Sequence, residues 1–342
     1  MSKTLLAYVS CAAARTIAVV AVDLSRMEMS LVATVPVPTA PGVAAGAAPG
    51  GSIPLALSPD RSRLYAAERS GPFLLASYDL SPPPGVPSLA ATATLPASMA
   101  YLSTDPAGRR LWAASYGASL ITEGDIDADG LVRTAPRRTL ATPPNAHCVL
   151  ADPTGTHLYA ASLGGDVLLC WRLTPSGPDE GSLAVTRLHQ GAGPRHAVIG
   201  AGGTRLYLLN ELDATLVVFV RNVETGALTQ RQVVAFPDCP KPAKAADLHL
   251  HPQGRFLYAS ERATSRLGVF TVDADGMLAP VETVPCETTP RGFALTPGGE
   301  ALLCAGMDAN TLGLYAIDPK NGRLTRRAGL AVPTGPNWIE IP

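Results

Sequence analysis

Residues 193–212, GPRHAVIGAGGTRLYLLNEL, contain the pattern that decides the fold. An apolar run is followed by a glycine-rich turn, a second apolar run that begins Leu-Tyr, and a polar end. This order predicts a β-strand, a tight hairpin and a second strand. The same pattern recurs along the chain in residues 53–67, 100–114, 147–161, 246–260 and 291–305.

The repeats are regular in length. The second strand of each copy begins with a leucine, and successive leucines lie between 45 and 51 residues apart (Leu64, Leu111, Leu158, Leu206, Leu257 and Leu302). A seventh copy fits at residues 6–10 but lacks a first strand, and residues 336–341 resemble the missing strand. Such a period, with about four strands per repeat, is typical of β-propellers. We therefore predict an all-β protein, a seven-bladed β-propeller formed by residues 1–342 as one domain, its ring closed by the C-terminal strand completing the N-terminal blade.

A second recurring feature, a pair of turn-forming residues, follows the Leu-Tyr strand. Asp-Gly, Thr-Gly and Asn-Gly steps occur in residues 127–131, 224–228, 273–278 and 319–324, where they predict hairpins between the third and outermost strands. Residues 125–130 also resemble the start of a calcium-binding loop. The glutamate that should end such a loop is replaced by Pro136, so the hairpin is favoured over the metal site.

Composition and charge narrow the possible functions. The 342 residues have a formal net charge of −1, which gives no electrostatic basis for binding nucleic acid or an anionic membrane. The six cysteines are scattered, which argues against a metal cluster and favours free thiols in a reducing compartment. The apolar stretch from residue 5 to residue 24 fits the repeat and is interrupted by Arg15, so we interpret it as two strands of a cytoplasmic protein.

Aligning the repeats reveals two irregular positions. The position that opens the innermost strand is apolar in three copies and cationic or titratable in three others, His147, Arg195 and Arg291. The position that follows the second strand carries Arg69, Tyr116, Glu211 and Arg262, and apolar residues elsewhere. Because paired antiparallel strands bring these positions together, we expect the polar residues to converge on one mouth of the central channel.

Each of these residues has an alternative interpretation as an ordinary surface group. An arginine at a strand end is commonly solvated, and Glu211 could pair with Arg195 only to hold two strands together. The concentration of polar residues at equivalent positions in consecutive repeats favours a site. Cationic groups around one carboxylate and one imidazole suit an anionic substrate and acid–base chemistry.

Several stretches resemble one enzyme family. They are residues 193–196, 210–212, 245–250, 254–258 and 289–293, and the chain resembles the lactonase-type seven-bladed propellers, which include 6-phosphogluconolactonases and 3-carboxy-cis,cis-muconate lactonizing enzyme. In the muconate enzyme a histidine, two arginines and a glutamate carry the site. The resemblance implies His147, Arg195, Glu211 and Arg262 as catalytic residues. It implies substrate binding by Arg291, Arg69, Tyr116, His196 and Asp247. The chain has Asn145 and Glu261 where the family often has His and Asn.

Three functions stay open at this level. The first is a metal-independent lactonase without a cofactor that hydrolyses an anionic sugar lactone. Glu211 or His147 would be the general base, with Arg195 and Arg262 stabilising the oxyanion. The second is a cycloisomerase or lactone isomerase acting on a muconate-type dicarboxylate, and the third is a non-catalytic binding propeller. Substitutions at these strand-end residues are expected to change stability little. The expected partner is a small anionic lactone or dicarboxylate, and the chain is expected to be a monomer or a homo-oligomer.

Overall fold

Seven antiparallel sheets form a ring in the computed structural model, which describes residues 4–39, 51–200, 202–239 and 241–342. Each sheet is one blade. In six blades the strand that comes first in the chain lies nearest the ring centre, and in the blade that contains the first and last strands the C-terminal strand takes that place. Most of the Ala/Gly/Pro-rich connection after Val37, interpreted from sequence as an exposed loop, lies outside the described residues.

The strands follow the sequence repeats. Blade 1 begins with β1 (Thr4–Cys11), β2 (Thr16–Asp23) and β3 (Glu28–Pro36). Blade 2 contains β4 (Leu55–Leu57), β5 (Arg63–Glu68), β6 (Leu74–Asp79) and β7 (Ser88–Thr94). Blade 3 contains β8 (Tyr101–Thr104), β9 (Arg110–Ser115), β10 (Leu120–Asp125) and β11 (Arg138–Ala141). Blade 4 contains β12 (Ala146–Ala151), β13 (His157–Ser162), β14 (Val167–Thr174), β15 (Gly177–Pro178), a 3-10 helix (Glu180–Ser182) and β16 (Ala184–Arg187).

The second half of the ring repeats this order. Blade 5 contains β17 (Pro194–Ile199), β18 (Arg205–Asn210), β19 (Thr215–Arg221) and β20 (Leu228–Ala235). Blade 6 contains β21 (Ala245–Leu250), β22 (Phe256–Glu261), β23 (Arg266–Val272) and β24 (Leu278–Pro285). Blade 7 contains β25 (Pro290–Leu295), β26 (Ala301–Gly306), β27 (Thr311–Ile317) and β28 (Leu324–Ala331). The last strand is β29 (Pro336–Glu340), which belongs to blade 1.

The C-terminal strand closes the ring, as predicted. Strand β29 pairs antiparallel with β1, with Tyr8 opposite Glu340 and Ser10 opposite Trp338. Buried Asn337 secures this closure: its side chain accepts a hydrogen bond from the Ile53 backbone N–H (2.9 Å) and donates one to the Ser10 carbonyl (3.2 Å). The chain ends therefore hold blade 1 together and tie it to blade 2.

Burial explains why the two inner strands of each repeat are so apolar. Every residue of β13 is buried, because that strand has a neighbouring blade on each face, whereas the outermost β20 alternates between exposed and partly buried residues. Apolar clusters fill each gap between adjacent blades and also join blade 7 to blade 1. Since burying a leucine stabilises a fold by roughly 2 kcal/mol, these clusters hold the ring together.

The hairpin between β10 and β11 begins with a turn of the predicted kind. Asp127 Oδ1 accepts hydrogen bonds from the backbone N–H groups of Asp129 and Leu131, each at 2.9 Å, so this carboxylate caps the turn. In the described ranges no helix is long and apolar enough to span a membrane.

Candidate active site

A β-bulge places each of the three polar residues that open innermost strands. Between β17 and β18, Pro194 pairs with Asn210 and His196 with Leu209, so Arg195 is the extra residue. His147 and Arg291 occupy the same extra position in blades 4 and 7. A bulge bends its strand and redirects the side chain of the additional residue. The same local irregularity therefore presents His147, Arg195 and Arg291 at one end of the ring.

A residue with positive φ precedes each bulge by two positions. These residues are Asn145 (64°), Gly193 (67°) and Thr289 (58°). At Gly193 a Cβ atom would lie 2.5 Å from Cγ of Leu212, so both the backbone conformation and the space require glycine. This turn brings the Gly193 carbonyl within 2.7 Å of the Glu211 backbone N–H, which fixes Glu211 beside Arg195.

Glu211 bridges two arginines from neighbouring blades. Its Oε2 lies 2.7 Å from Nε of Arg195 and its Oε1 lies 2.9 Å from Nη2 of Arg262. Burial alone would raise the pKa of Glu211, but the charges of Arg195 and Arg262 outweigh burial and lower this pKa. Glu211 is therefore ionised at neutral pH, with both oxygens committed to guanidinium groups.

Arg195 is buried, which corrects the expectation that its substitution would affect stability little. Its side chain is only 2% exposed, and Nη1 donates to the Ala246 carbonyl and to Nε2 of His196 (3.0 Å). Burial and nearby Arg262 lower the pKa of Arg195 to about 10, which still leaves the guanidinium charged at neutral pH. Within the described ranges Nη2 has no hydrogen-bond partner, and it is the donor left for a ligand.

Arg291 and Arg69 carry positive charges that no carboxylate balances directly. Arg291 forms no hydrogen bond or ion pair with any residue that the structure describes. Burial and the charges of Arg195, Arg262 and Arg69 lower the pKa of Arg291 to about 9. Among the described residues Arg69 donates only to the hydroxyl groups of Ser98 and Ser52. In this part of the chain, four guanidinium groups therefore lie at the mouth with one carboxylate, that of Glu211.

His147 lies at the floor of this mouth. Its ring centre is 5.9 Å from that of Tyr116 and 5.2 Å from that of His196. Burial, followed by the charges of Arg195, His196 and Arg291, lowers the pKa of His147 well below the ordinary 6.5. His147 is therefore neutral at pH 7, and its Nδ1 atom is buried and has no hydrogen-bond partner among the residues that the structure describes.

His196 and Asp247 lie one layer deeper, inside the channel. His196 Nδ1 is 2.8 Å from Asp247 Oδ1, and both residues line a cavity of about 320 Å³ below the mouth. Tyr101 contacts His196 edge-on, with ring centres 5.1 Å apart, and Trp338 contacts it at a tilt, with ring centres 5.8 Å apart. All nine residues that the sequence singled out therefore lie at the mouth or directly beneath it.

Sequence reasoning missed two titratable residues of the channel, His249 and Glu340. His249 Nε2 lies 3.1 Å from Asp247 Oδ2, and Glu340 Oε1 accepts a hydrogen bond from Nε1 of Trp338 at 3.0 Å. Each follows another channel-lining residue by two positions on the same innermost strand. Because side chains alternate faces along a strand, this spacing could have revealed both residues.

Metal ligation is not evident in the described portion of the chain, where no group of three or more His, Cys, Asp or Glu side chains is placed to hold an ion. All six cysteines are free thiols.

Comparison with known proteins identifies the family. Residues 39–341 match the family model described as lactonase, 7-bladed beta-propeller. The chain is 36% identical to the 6-phosphogluconolactonase of Serratia proteamaculans over 299 residues, which cover 86% of this chain and 89% of that protein. It is 35% identical to the 6-phosphogluconolactonase of Pectobacterium carotovorum over 301 residues, with 86% and 89% coverage.

A solved structure supports the same assignment. The periplasmic gluconolactonase of Pseudomonas aeruginosa superposes with a TM-score of 0.86 at 25% identity, and the alignment covers 99% of each chain. Sequence relatives, fold and family model agree. The chain belongs to the seven-bladed β-propeller lactonase family.

Proposed function

We propose that this protein is a lactonase that hydrolyses an anionic sugar lactone, and that 6-phosphogluconolactone is the leading substrate. The observation that carries the proposal is the charge of Arg291, which is half-buried at the mouth without a partner among the described residues. A charge that is partly withdrawn from water is costly unless it is paired. Relatives more than 30% identical to the chain are named 6-phosphogluconolactonase, which supports the same substrate class.

The arrangement of charges suggests how the substrate binds. Arg195 and Arg262 share Glu211, whereas Arg291 and Arg69 have no carboxylate partner. A phosphate or carboxylate of the substrate would supply the missing negative charge to Arg291 and Arg69. Arginine is suited to this role because its planar group donates two parallel hydrogen bonds to such anions.

Hydrolysis then needs one base and one oxyanion donor. His147 takes a proton from water as the water oxygen attacks the lactone carbonyl carbon. The carbonyl oxygen becomes negative and is stabilised by Nη2 of Arg195, the donor that has no partner in the described chain. When the ring C–O bond breaks, the leaving alkoxide takes the proton back from His147. The product carries a free hydroxyl and a carboxylic acid, which then loses its proton to solvent as a carboxylate.

His147 suits the role of base better than Glu211. Both oxygens of Glu211 are held by guanidinium groups, which lower its pKa and its affinity for a proton. His147 is neutral and has an uncommitted ring nitrogen. We assign Glu211 to the orientation of Arg195 and Arg262, and His147 to proton transfer.

The test is a panel of lactones followed by pH-stat, with the spontaneous rate subtracted. It should contain 6-phosphogluconolactone, the neutral gluconolactone and a muconate-type dicarboxylate. Two charge-assisted contacts to the anion predict that kcat/KM for the phosphorylated lactone exceeds that for the neutral one by ~100-fold. No turnover above the spontaneous rate would refute the proposal, and loss of diene absorbance from the dicarboxylate would establish a cycloisomerase instead.

Two further expectations accompany this function. We propose that residues 1–342 work as a single domain and that the protein acts in the cytoplasm. The six free cysteines support a reducing compartment. Recovery of activity in a periplasmic fraction of cells that express the native chain would contradict the location.

A further inference from the structure

We propose that Asp247 and His196 form a positioning relay that holds Arg195 in the orientation needed for oxyanion stabilisation, so that neither Asp247 nor His196 contacts the substrate itself. The kinetic part of this inference rests on the proposed function, whereas the hydrogen-bonding part does not. The relay runs from the channel interior to the mouth, through three side chains on two blades.

The chemistry of the donors fixes the direction of each hydrogen bond. Arginine has donors only, so His196 Nε2, 3.0 Å from Nη1 of Arg195, must accept and must lack a proton. The proton of a neutral imidazole then lies on Nδ1, which donates to Asp247 Oδ1 at 2.8 Å. Asp247 therefore selects the tautomer of His196 that Arg195 requires.

Both ring nitrogens of His196 are committed by this arrangement. Burial, followed by the charge of Arg195, lowers the pKa of His196 to about 4, so the imidazole stays neutral in the working pH range. A second proton on His196 would set two donors against each other, because Nε2 would face Nη1 of Arg195. The rings of Tyr101 and Trp338 pack against the His196 ring from the channel side.

Asp247 is anchored by four donors from three blades. Oδ1 accepts from His196 Nδ1 and the Leu248 backbone N–H (2.9 Å), whereas Oδ2 accepts from His249 Nε2 and the Phe293 backbone N–H (3.1 Å). Burial would raise the pKa of Asp247, but the charge of His249 and the donated hydrogen bonds lower it well below the ordinary 3.8. The carboxylate is thus a fixed negative centre beneath the mouth.

A consequence for catalysis follows from the contacts of Arg195. Glu211 holds Nε, while His196 and the Ala246 carbonyl hold Nη1, so only Nη2 is left for the oxyanion. If His196 adopts the other tautomer, its proton meets Nη1 and the guanidinium must rotate. In metal sites, removal of the residue that hydrogen-bonds to a ligating histidine typically lowers activity by about 10–100-fold. We expect a similar loss of activity when the Asp247–His196 hydrogen bond is removed.

The first experiment needs no substrate, and it uses a variant only to assign the signals. Nitrogen-15 NMR of histidine-labelled protein should show His196 as a neutral imidazole with its proton on Nδ1 between pH 6 and pH 8. His196→Gln assigns the signals by removing them. A proton on Nε2, or a charged ring in this pH range, would overturn the relay whatever the enzymatic activity proves to be.

The second experiment is a double-mutant cycle on lactone hydrolysis. Asp247→Asn should lower kcat by about 10–100-fold while KM changes less than about threefold, because the oxyanion donor acts mainly in the transition state. In an Arg195→Lys background, Asp247→Asn should lower kcat by less than about twofold, because the effects of substitutions at residues that act through one another are not additive. Asp179→Asn, which breaks an exposed ion pair with Arg172, is the matched control and should leave kcat unchanged.

The outcomes separate the two proposals. Equal loss from Asp247→Asn in both backgrounds would overturn the relay, because Asp247 would then act independently of Arg195. The expected tautomer combined with no turnover of any lactone would support the relay and refute the proposed function. If Asp247→Asn fails to fold, the tautomer in the wild-type protein still decides.

Discussion

Nε of Arg195 lies 2.7 Å from Oε2 of Glu211, and this ion pair joins the bulge of an innermost strand to the residue that follows the adjacent strand. The guanidinium is almost fully buried, while Glu211 keeps 20% of its side chain exposed. In the proposed function this contact serves both structure and reaction, since the same arginine orders two strands and presents to the mouth a donor that has no partner among the described residues.

Arg195→Ala should therefore reduce both activity and stability. Loss of an oxyanion donor lowers kcat by about 10²–10³-fold. Glu211 would keep Arg262 but lose one of its two guanidinium partners, and the Ala246 carbonyl would lose the Arg195 donor, which should lower the free energy of unfolding by ~3 kcal/mol. Urea denaturation and pH-stat measure the two effects. Arg172→Ala, which removes an exposed ion pair, is the control and should change stability by less than about 1 kcal/mol. Unchanged stability of Arg195→Ala would contradict the burial argument.

His147→Gln should abolish most of the proton transfer. We expect kcat to fall by about 10²–10⁴-fold with little change in KM. Because the lowered pKa keeps His147 neutral well below pH 6.5, wild-type activity should stay level from pH 8 to pH 6.5 and fall only at lower pH. A pH–rate profile checks this, and His189→Gln, at an exposed histidine, is the control. An acidic limb centred above pH 6.5 would exclude His147 as the base.

Arg291→Met should weaken substrate binding without loss of stability. Removal of a charge that binds the substrate anion should raise KM for the phosphorylated lactone by at least ~10-fold, and KM for neutral gluconolactone should change far less. The variant should be as stable as the wild type or more stable, because it no longer holds a half-buried cation that lacks a partner among the described residues. Inorganic phosphate should raise Tm of the wild type and not of Arg291→Met, with exposed Arg187→Met as the control. A large loss of stability would show that Arg291 has a structural partner.

Glu340→Gln should change how stability depends on pH. Burial raises the pKa of Glu340 to about 7 from its ordinary 4.5, against the lowering effects of the Trp338 hydrogen bond and the charge of His249. Between pH 4.5 and pH 7 the carboxylate ionises in the unfolded chain and stays protonated in the folded chain, so stability is lost as pH rises. Glutamine removes this loss. The free energy of unfolding of the variant, minus that of the wild type, should therefore be about 1–2 kcal/mol larger at pH 8 than at pH 4.5, after allowance for partial exposure.

Urea denaturation at the two pH values measures this effect. Glu224→Gln, on an exposed turn, controls for the loss of a surface carboxylate. An equal difference from wild type at both pH values would show that the pKa of Glu340 is the same in the folded and unfolded chain.

The sequence determined the fold almost completely, because the repeat is a local pattern. Each Leu-Tyr strand buries both faces between blades, and that requirement marks every copy in the same way. Ring closure was also predictable, since residues 336–341 match the first strand that the N-terminal copy lacks. The positions of Arg195, Glu211 and Arg262 in the repeats indicated that they converge, because equivalent positions of a ring face the same end.

The tertiary structure decided the roles available to these residues. No local pattern shows that Arg195 is the extra residue of a bulge, that Glu211 is shared with Arg262 of the next blade, or that Arg291 has no partner in the described chain. Nor does the sequence show that His196 points away from the mouth toward Asp247. These properties depend on distances between residues about 50 positions apart. Only the closed ring fixes such distances, because it brings every innermost strand to one axis.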